Sequence, residues 1–236
     1  DYAITREEAD VYAVRSHQNA ARAWQERKFD AHLVPIEIPQ RKGNPVVFDH
    51  DEGYRADASM ETLGALRAID LKRDPAAIVT AGNASQQNDA AAACLVVAED
   101  KLEELGLEPV LWFHGWAAAG CEPSRMGIGP VPAVERLFAR TGLGWDDIGL
   151  VELNEAFAPQ VLAVLKGWGW SDDDSRRDLL NVNGSGISLG HPIGATGGRI
   201  LADMAAEMHR REVRYGLETM CIGGGQGIAA VFERAA

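Results

Sequence analysis

The sequence predicts an α/β fold with helices packed on the faces of a sheet, and three observations carry the prediction. Beyond residue 77, short apolar runs of strand length alternate with helix-length segments, the pattern that lays helices over a sheet. Glycines and prolines punctuate the ends of these segments, as at Gly106, Gly142 and Gly223-Gly224-Gly225. Of the 236 residues, 46% are hydrophobic and 25% charged, which supplies apolar material for one or two packed domains and excludes a disordered chain.

Taken in order, Thr5 and Glu8 form a T-x-x-E capping box, and Ala9, Tyr12, Ala13, Ala20 and Trp24 recur near helical spacing, predicting an amphipathic helix from Thr5 to Lys28. His32 to Pro39 alternates like a strand, Gln40 to Pro45 is a basic turn carrying Arg41 and Lys42, and Val46 to Phe48 is a second short strand. A helix around Met60, Leu63 and Leu66 follows in a turn-rich stretch, so the segment up to residue 77 reads as a surface insertion. Ile78 to Thr80 is predicted as a strand, Gly82 to Ser85 as a turn, and Asp89 to Leu105 as an Ala-rich helix closed by Gly106. Val110 to Trp116 is then a strand, Pro132 to Arg140 a helix with proline in its first turn, Ile148 to Leu153 a strand, and Glu155 to Trp168 a helix. A Gly-rich stretch from Asn181 to Gly198 leads into a helix ending near Arg211, and strands Tyr215 to Met220 and Ile228 to Glu233 flank the triple glycine. No tandem repeat at a short fixed period is present.

With 23 basic against 35 acidic residues the formal charge is -12, which argues against a nucleic-acid partner, because neutralising phosphates takes clustered Lys and Arg. No apolar run reaches the roughly 18 residues of a membrane span, and no secretory signal opens the chain, so no membrane partner is expected. Cys94, Cys121 and Cys221 form no CxxC or Cys/His pattern, so no metal is expected and a reducing compartment, the cytoplasm, fits best. Asp1-Tyr2-Ala3 lacks an initiator Met and stands close to a helix start, which suggests a fragment of something longer.

Three segments in the last third carry groups capable of chemistry: Asn154-Glu155-Ala156-Phe157, Gly190-His191-Pro192 and Cys221-Ile222-Gly223-Gly224-Gly225. Each falls at a predicted strand end or in a glycine-rich loop, where an α/β sheet presents side chains and free amides to ligands. The triple glycine after Cys221 lets a backbone N–H approach a reacting carbonyl closely. A cysteine and a histidine beside such donors suit acyl transfer, as nucleophile and base or as two proton shuttles. Taken singly, Cys221 also reads as a core thiol, His191 as a structural hydrogen bonder and Asn154 as a helix N-cap. Neither G-x-x-x-x-G-K-[ST] nor a well-placed G-x-G-x-x-G opens the glycine-rich stretch, which excludes a nucleotide cradle there. Cys94, in an Ala/Val-rich run, reads as core and Cys121 as a loop thiol.

In this order and spacing, Asn154-Glu155-Ala156-Phe157, Gly190-His191-Pro192-Ile193-Gly194-Ala195-Thr196-Gly197 and Cys221-Ile222-Gly223-Gly224-Gly225 resemble the thiolases. The resemblance extends upstream through Thr80-Ala81-Gly82-Asn83-Ala84-Ser85 and Met126-Gly127-Ile128-Gly129-Pro130 to cover essentially the whole chain. It implies a layered fold of helices and mixed five-stranded sheets. Residues 1–77 would form the family's loop domain, 78–108 the last segment of its N-terminal domain and 109–236 its C-terminal domain.

The function implied by the resemblance is ping-pong acyl transfer between coenzyme A thioesters through an acyl-cysteine. That is thiolysis of a 3-ketoacyl-CoA or the reverse condensation, in fatty acid β-oxidation and lipid metabolism. Coenzyme A and acyl-CoA would be substrates, with no tightly bound cofactor, and the protein would self-associate to a dimer or tetramer. By the same resemblance His191 would activate the nucleophilic cysteine and help hold a thioester oxygen, and Asn154 would position a water in that oxyanion hole. Cys221 would be the general acid/base at the second carbonyl, and the Gly223 amide a donor to the other oxyanion hole. Met126 would line the acyl pocket, Ser85 would contact the pantetheine arm, and Arg41 would lie near the adenine or its phosphates.

Two departures stand out. Asn183-Gly184-Ser185-Gly186 replaces the family's Asn-Gly-Gly-Ala, a small-for-small exchange. The family's nucleophilic cysteine, at the start of a buried N-terminal-domain helix, has no counterpart here, so residues 1–236 alone are not expected to catalyse thiolysis. Two alternatives follow: a CoA-binding or structural subunit lacking its own nucleophile, and a ketosynthase-type condensing enzyme, which usually presents a second His where Cys221 stands.

Overall fold

The computed structural model describes residues 1–235. The first helix, α1 (Arg6–Gln25), starts at the predicted capping box, with the Thr5 hydroxyl accepting from Glu8 N–H and the Glu8 carboxylate accepting from Thr5 N–H. Its small inward residues Ala9, Ala13 and Ala20 are buried, and between them it carries Tyr12 and Ser16 into the interior. The exposed hairpin β1 (Ile36–Ile38) and β2 (Val46–Phe48) follows, with Arg41 in its turn, and then the short helix α2 (Met60–Gly64).

The core is a four-stranded mixed sheet made by β3 (Leu111–Gly120), β4 (Ile148–Leu153), β5 (Tyr215–Ile222) and β6 (Gln226–Arg234), in the order β3-β6-β5-β4. Only β4 and β5 run parallel. Where the resemblance implied five strands, a single parallel bridge, Val151 to Leu180, occupies the position beyond β4. Helices α4 (Pro130–Thr141) and α5 (Ala158–Gly167) cover one face with Val134, Leu137, Val161 and Leu165. Helix α7 (Thr196–Arg211) covers the other, setting Met204 and Met208 against Leu150. With both faces covered, β4 is buried at nearly every position, as a parallel strand between helix layers must be. Close approach matters at Gly227: a Cβ there would collide with the Gly129 carbonyl, so its absence lets the turn before α4 lie on the sheet.

Several sequence expectations are corrected. Ile78 to Thr80 is irregular, not a strand, and the Ala-rich helix expected from Asp89 to Leu105 shrinks to one short helix, α3 (Leu102–Leu105), after a 3-10 turn at Glu99–Lys101. The helix propensity of Ala90 to Ala93 is not enough, because a helix of this length needs a packed face and Leu95 and Val96 stand 84% and 91% exposed. Helix α5 begins at Ala158 rather than Glu155, and its N-cap is Phe157, so Asn154 is not a cap. Strand β5 runs through Cys221 to Ile222, two residues past its expected end. Among the described residues no helix is long and apolar enough to cross a membrane.

Under α7 the sheet holds paired acids. Glu152 and Glu218 are opposite one another on β4 and β5, and Asp203 and Arg199 of α7 act on Glu152. Burial drives the Glu218 carboxyl up to about 8, with Arg199 opposing, and burial followed by Asp203 pushes Glu152 well above the carboxylate range. An acid whose pKa is raised by folding makes the native state hold the extra proton. Stability that is complete below about 4.5 is therefore lost as pH rises through about 8. Comparing urea midpoints across that window, Glu218→Gln should be less pH-sensitive than the wild type, by up to a few kcal/mol. Parallel curves for the two proteins would contradict this assignment.

Candidate active site

The C-terminal ends of the parallel pair β4 and β5 bring two of the singled-out segments side by side. Leu153 pairs with Thr219, and Asn154 N–H donates to the Thr219 carbonyl at 3.0 Å, so Asn154 leaves β4 two residues before Cys221 is reached on β5. The third segment arrives through α6 (Gly186–Leu189), a short helix absent from the sequence reading, which turns at Gly190 in the left-handed region (φ 93°). The backbone conformation calls for glycine at Gly190, and a Cβ there would also displace the Asn88 side-chain amide. His191 N–H then donates to the Gln86 carbonyl at 3.1 Å.

Asn154 and His191 meet directly: the Asn154 Nδ2 donates toward His191 Nε2 at 3.3 Å. The Asn154 Oδ1 is buried and has no partner within the protein. On its other side His191 Nδ1 lies 2.7 Å from Thr196 Oγ1. Burial and then the positive charge of Arg199 hold the imidazole below its ordinary 6.5, so it is neutral at neutral pH. The Cys221 thiol moves the opposite way: burial, with a smaller contribution from nearby Cys121, raises it above 9.0. One group is thus a ready base and the other a ready acid at the same pH, the separation that acid/base chemistry at neutral pH requires.

Cys221 borders a cavity of about 540 Å³ that is also lined by Met126, Ile128, Ala156, Phe157 and Gln160. Met126 and Cys221 are therefore brought together, whereas His191, Ser85 and Arg41 are not part of that lining. Ser85 is tied to the same loop through its backbone, Ser85 N–H donating to the Ala156 carbonyl at 2.9 Å. Gly223 is exposed in the β5–β6 turn, with open space where a Cβ would be. Arg41 lies in the exposed hairpin turn between β1 and β2. No group of three or more His, Cys, Asp or Glu among the described residues could hold a metal.

Two supporting residues were missed as such in the sequence. Glu155 is buried and accepts four hydrogen bonds: from Tyr12 at 2.8 Å, Ser16 at 2.7 Å, Asn181 at 3.0 Å and the Ile187 backbone at 3.1 Å. Its side chain ties α1, the Asn181 loop and α6 to the end of β4, and a carboxylate directly after a buried strand was the only local signal for it. Thr196, the second, is fully buried at the start of α7, five residues from His191.

The family model for "Thiolase, C-terminal domain" matches residues 107–234, and that for "Thiolase, N-terminal domain" matches residues 1–100. The chain belongs to the thiolase family. Among curated thiolase relatives, the chain is 48% identical over 233 residues to the acetyl-CoA acetyltransferase of Chromobacterium violaceum, covering 99% of this chain and 57% of that protein. It is likewise 48% identical over 235 residues to a probable acetyl-CoA acyltransferase of Staphylococcus aureus, with the same coverage of 99% and 57%. Among solved thiolase structures, that of the Bacillus anthracis acetyl-CoA acetyltransferase superposes with a TM-score of 0.92 at 43% identity, covering 99% of this chain and 57% of that one. Human mitochondrial 3-ketoacyl-CoA thiolase in complex with CoA superposes with a TM-score of 0.87 at 37% identity, covering 98% and 55%. The chain spans a little over half the length of the thiolases it matches.

Proposed function

We propose that the protein transfers acyl groups between coenzyme A thioesters, by thiolysis of a 3-ketoacyl-CoA or the reverse condensation. The observation that carries this reading is the pairing at the ends of β4 and β5: a neutral His191 held against Asn154, and a protonated Cys221 on the wall of the cavity that Met126 also lines. The names of the relatives agree with it. The primary nucleophile is a thiol from polypeptide outside residues 1–236, since Cys94 and Cys121 lack the family's motif.

In the cleavage direction His191 Nε2 takes the proton of that nucleophilic thiol, and the thiolate attacks the 3-keto carbon. The bond between C2 and C3 breaks, its electron pair passes to C2, and the carbanion takes the proton from Cys221 Sγ. Acetyl-CoA leaves. The Cys221 thiolate then takes the proton of an incoming CoA thiol, whose sulfur attacks the acyl-cysteine; the bond to the nucleophilic sulfur breaks, that thiolate takes back the proton held on His191, and the shortened acyl-CoA leaves. Asn154, through a water, and His191 hold one thioester oxygen, and the Gly223 amide holds the other. Met126 borders the acyl chain, Ser85 contacts the pantetheine arm and Arg41 lies near the adenine or its phosphates. Residues 1–77 serve as the loop domain, 78–108 close the N-terminal domain, and 109–236 form the C-terminal domain. The setting is cytoplasmic fatty acid β-oxidation, with the protein a dimer or tetramer and no cofactor held tightly between turnovers.

The test is acetyl-CoA formation from acetoacetyl-CoA and CoA by the protein at its natural length, followed against pH and sized by light scattering. Activity should fall on the acid side with a pKa below 6.5, because the base must be unprotonated and His191 is held below that value. No acetyl-CoA formed would overturn the assignment of acyl transfer, an acid limb above 6.5 that of His191, and a monomeric mass that of self-association.

A further inference from the structure

The Thr196 hydroxyl touches His191 on the side away from Asn154, and the two contacts together bear on which imidazole nitrogen carries the proton. Thr196 Oγ1 lies 3.0 Å from the Pro192 carbonyl and 2.7 Å from His191 Nδ1. A hydroxyl has a single proton and two lone pairs. The Pro192 carbonyl can only accept, whereas Nδ1 accepts in one tautomer and donates in the other. With the Asn154 Nδ2 donor facing Nε2, Nε2 is the lone-pair nitrogen, and the Thr196 proton goes to the Pro192 carbonyl, the back-bond that threonine makes one turn earlier. The Thr196 oxygen is then an acceptor toward Nδ1, which must be N–H.

We propose that Thr196 is a positioning residue that holds His191 in the tautomer protonated on Nδ1, leaving the Nε2 lone pair directed at Asn154 and the reacting groups. The Asn154 amide complements this from the opposite side, since its Nδ2 points a donor at Nε2. Burial makes the arrangement rigid: Thr196 is 0% exposed, so no solvent competes for its hydroxyl. The Pro192 carbonyl also accepts from Ala195 N–H at 2.7 Å and Thr196 N–H at 2.9 Å. Exchanging the hydroxyl for a methyl therefore leaves that carbonyl satisfied and removes only the partner of Nδ1. The inference rests on His191 being the base for its catalytic meaning, but the tautomer itself is a property of the chain whether or not acyl transfer is observed.

Histidine-labelled ¹⁵N protein tests this directly through long-range ¹H–¹⁵N correlations at a pH above the imidazole titration, with His191→Asn identifying the signal. The wild type and Thr196→Ser should show a pyrrole-type, protonated Nδ1 and a pyridine-type, unprotonated Nε2. Thr196→Val, close to threonine in shape, should move the population toward Nε2–H. A wild-type His191 protonated on Nε2, with the Asn154 amide turned to accept from it, would overturn the proposal, as would a Thr196→Val spectrum identical to the wild type. Because the wild-type spectrum alone decides the tautomer, poor folding of the valine variant would not rescue the idea. Absence of acetyl-CoA formation would count against the acyl-transfer reading alone.

Discussion

Cys221→Ala, made in the protein at its natural length, should reduce turnover by about 10²- to 10⁴-fold, the usual loss on removing a general acid or base, while acylation by the acyl donor survives. The two halves of the reaction make different demands. In the reaction proposed, acylation begins with attack by the primary thiol, activated by His191, and the donor bond breaks only as its carbanion finds a proton. Donors that leave without one, such as activated thioesters, should therefore still load the enzyme. Two features support the proposed role of Cys221 in the proton step: burial raises its thiol pKa, and it sits in the cavity wall with Met126. Trapping of labelled acyl-enzyme by the variant, with no release to CoA, is the result to look for. Turnover at the wild-type rate would remove Cys221 from the chemistry and return it to the reading of a core thiol.

Much of this arrangement was legible in the sequence where local physics and motif coincide. The capping box of α1, strand β4 from Ile148 to Leu153 and the end of α7 at Arg211 fall where the sequence reading put them, because capping, apolar continuity and glycine punctuation are local properties. The three motifs were also legible, and the structure joins Asn154 to His191 and carries Cys221 at the end of the adjacent strand. What was not legible depends on partners distant in the chain. Ala90 to Ala93 looks helical by composition, yet a run that exposes Leu95 and Val96 has no face to pack, and nothing local to it reveals that. Thr196 and Glu155 escaped for the same reason. The meaning of each lies in the groups it meets, and those of Glu155 come from residues 12, 16, 181 and 187. A sequence shows that a carboxylate follows a strand, but not that four donors converge on it.

That convergence carries the largest stability effect expected in the chain. Glu155→Gln preserves volume but exchanges one acceptor oxygen for an NH₂ group. Whichever way the amide turns, its NH₂ faces one donor that cannot reverse, either the Asn181 Nδ2 or the Ile187 N–H, while the Tyr12 or Ser16 hydroxyl on the same side can rotate to accept. At least one hydrogen bond to the carboxylate is lost, which contributes roughly 1.5–3 kcal/mol, and the freed N–H donor remains buried. The expected cost is about 2–3 kcal/mol, or a fall of roughly 4–12 °C in the unfolding midpoint for a chain of this size. Glu155→Ala should do at least as much damage, since it leaves all four donors facing a cavity. The loss is global because the carboxylate ties α1 and α6 to the end of β4, so it should appear as a single cooperative shift in urea or thermal unfolding. The neighbouring Asn154 and His191 should lose their mutual register as well, seen as loss of the ordered His191 ¹⁵N signature in the surviving folded fraction. A glutamine variant within about 1 kcal/mol of the wild type would mean that the four-donor assignment is wrong.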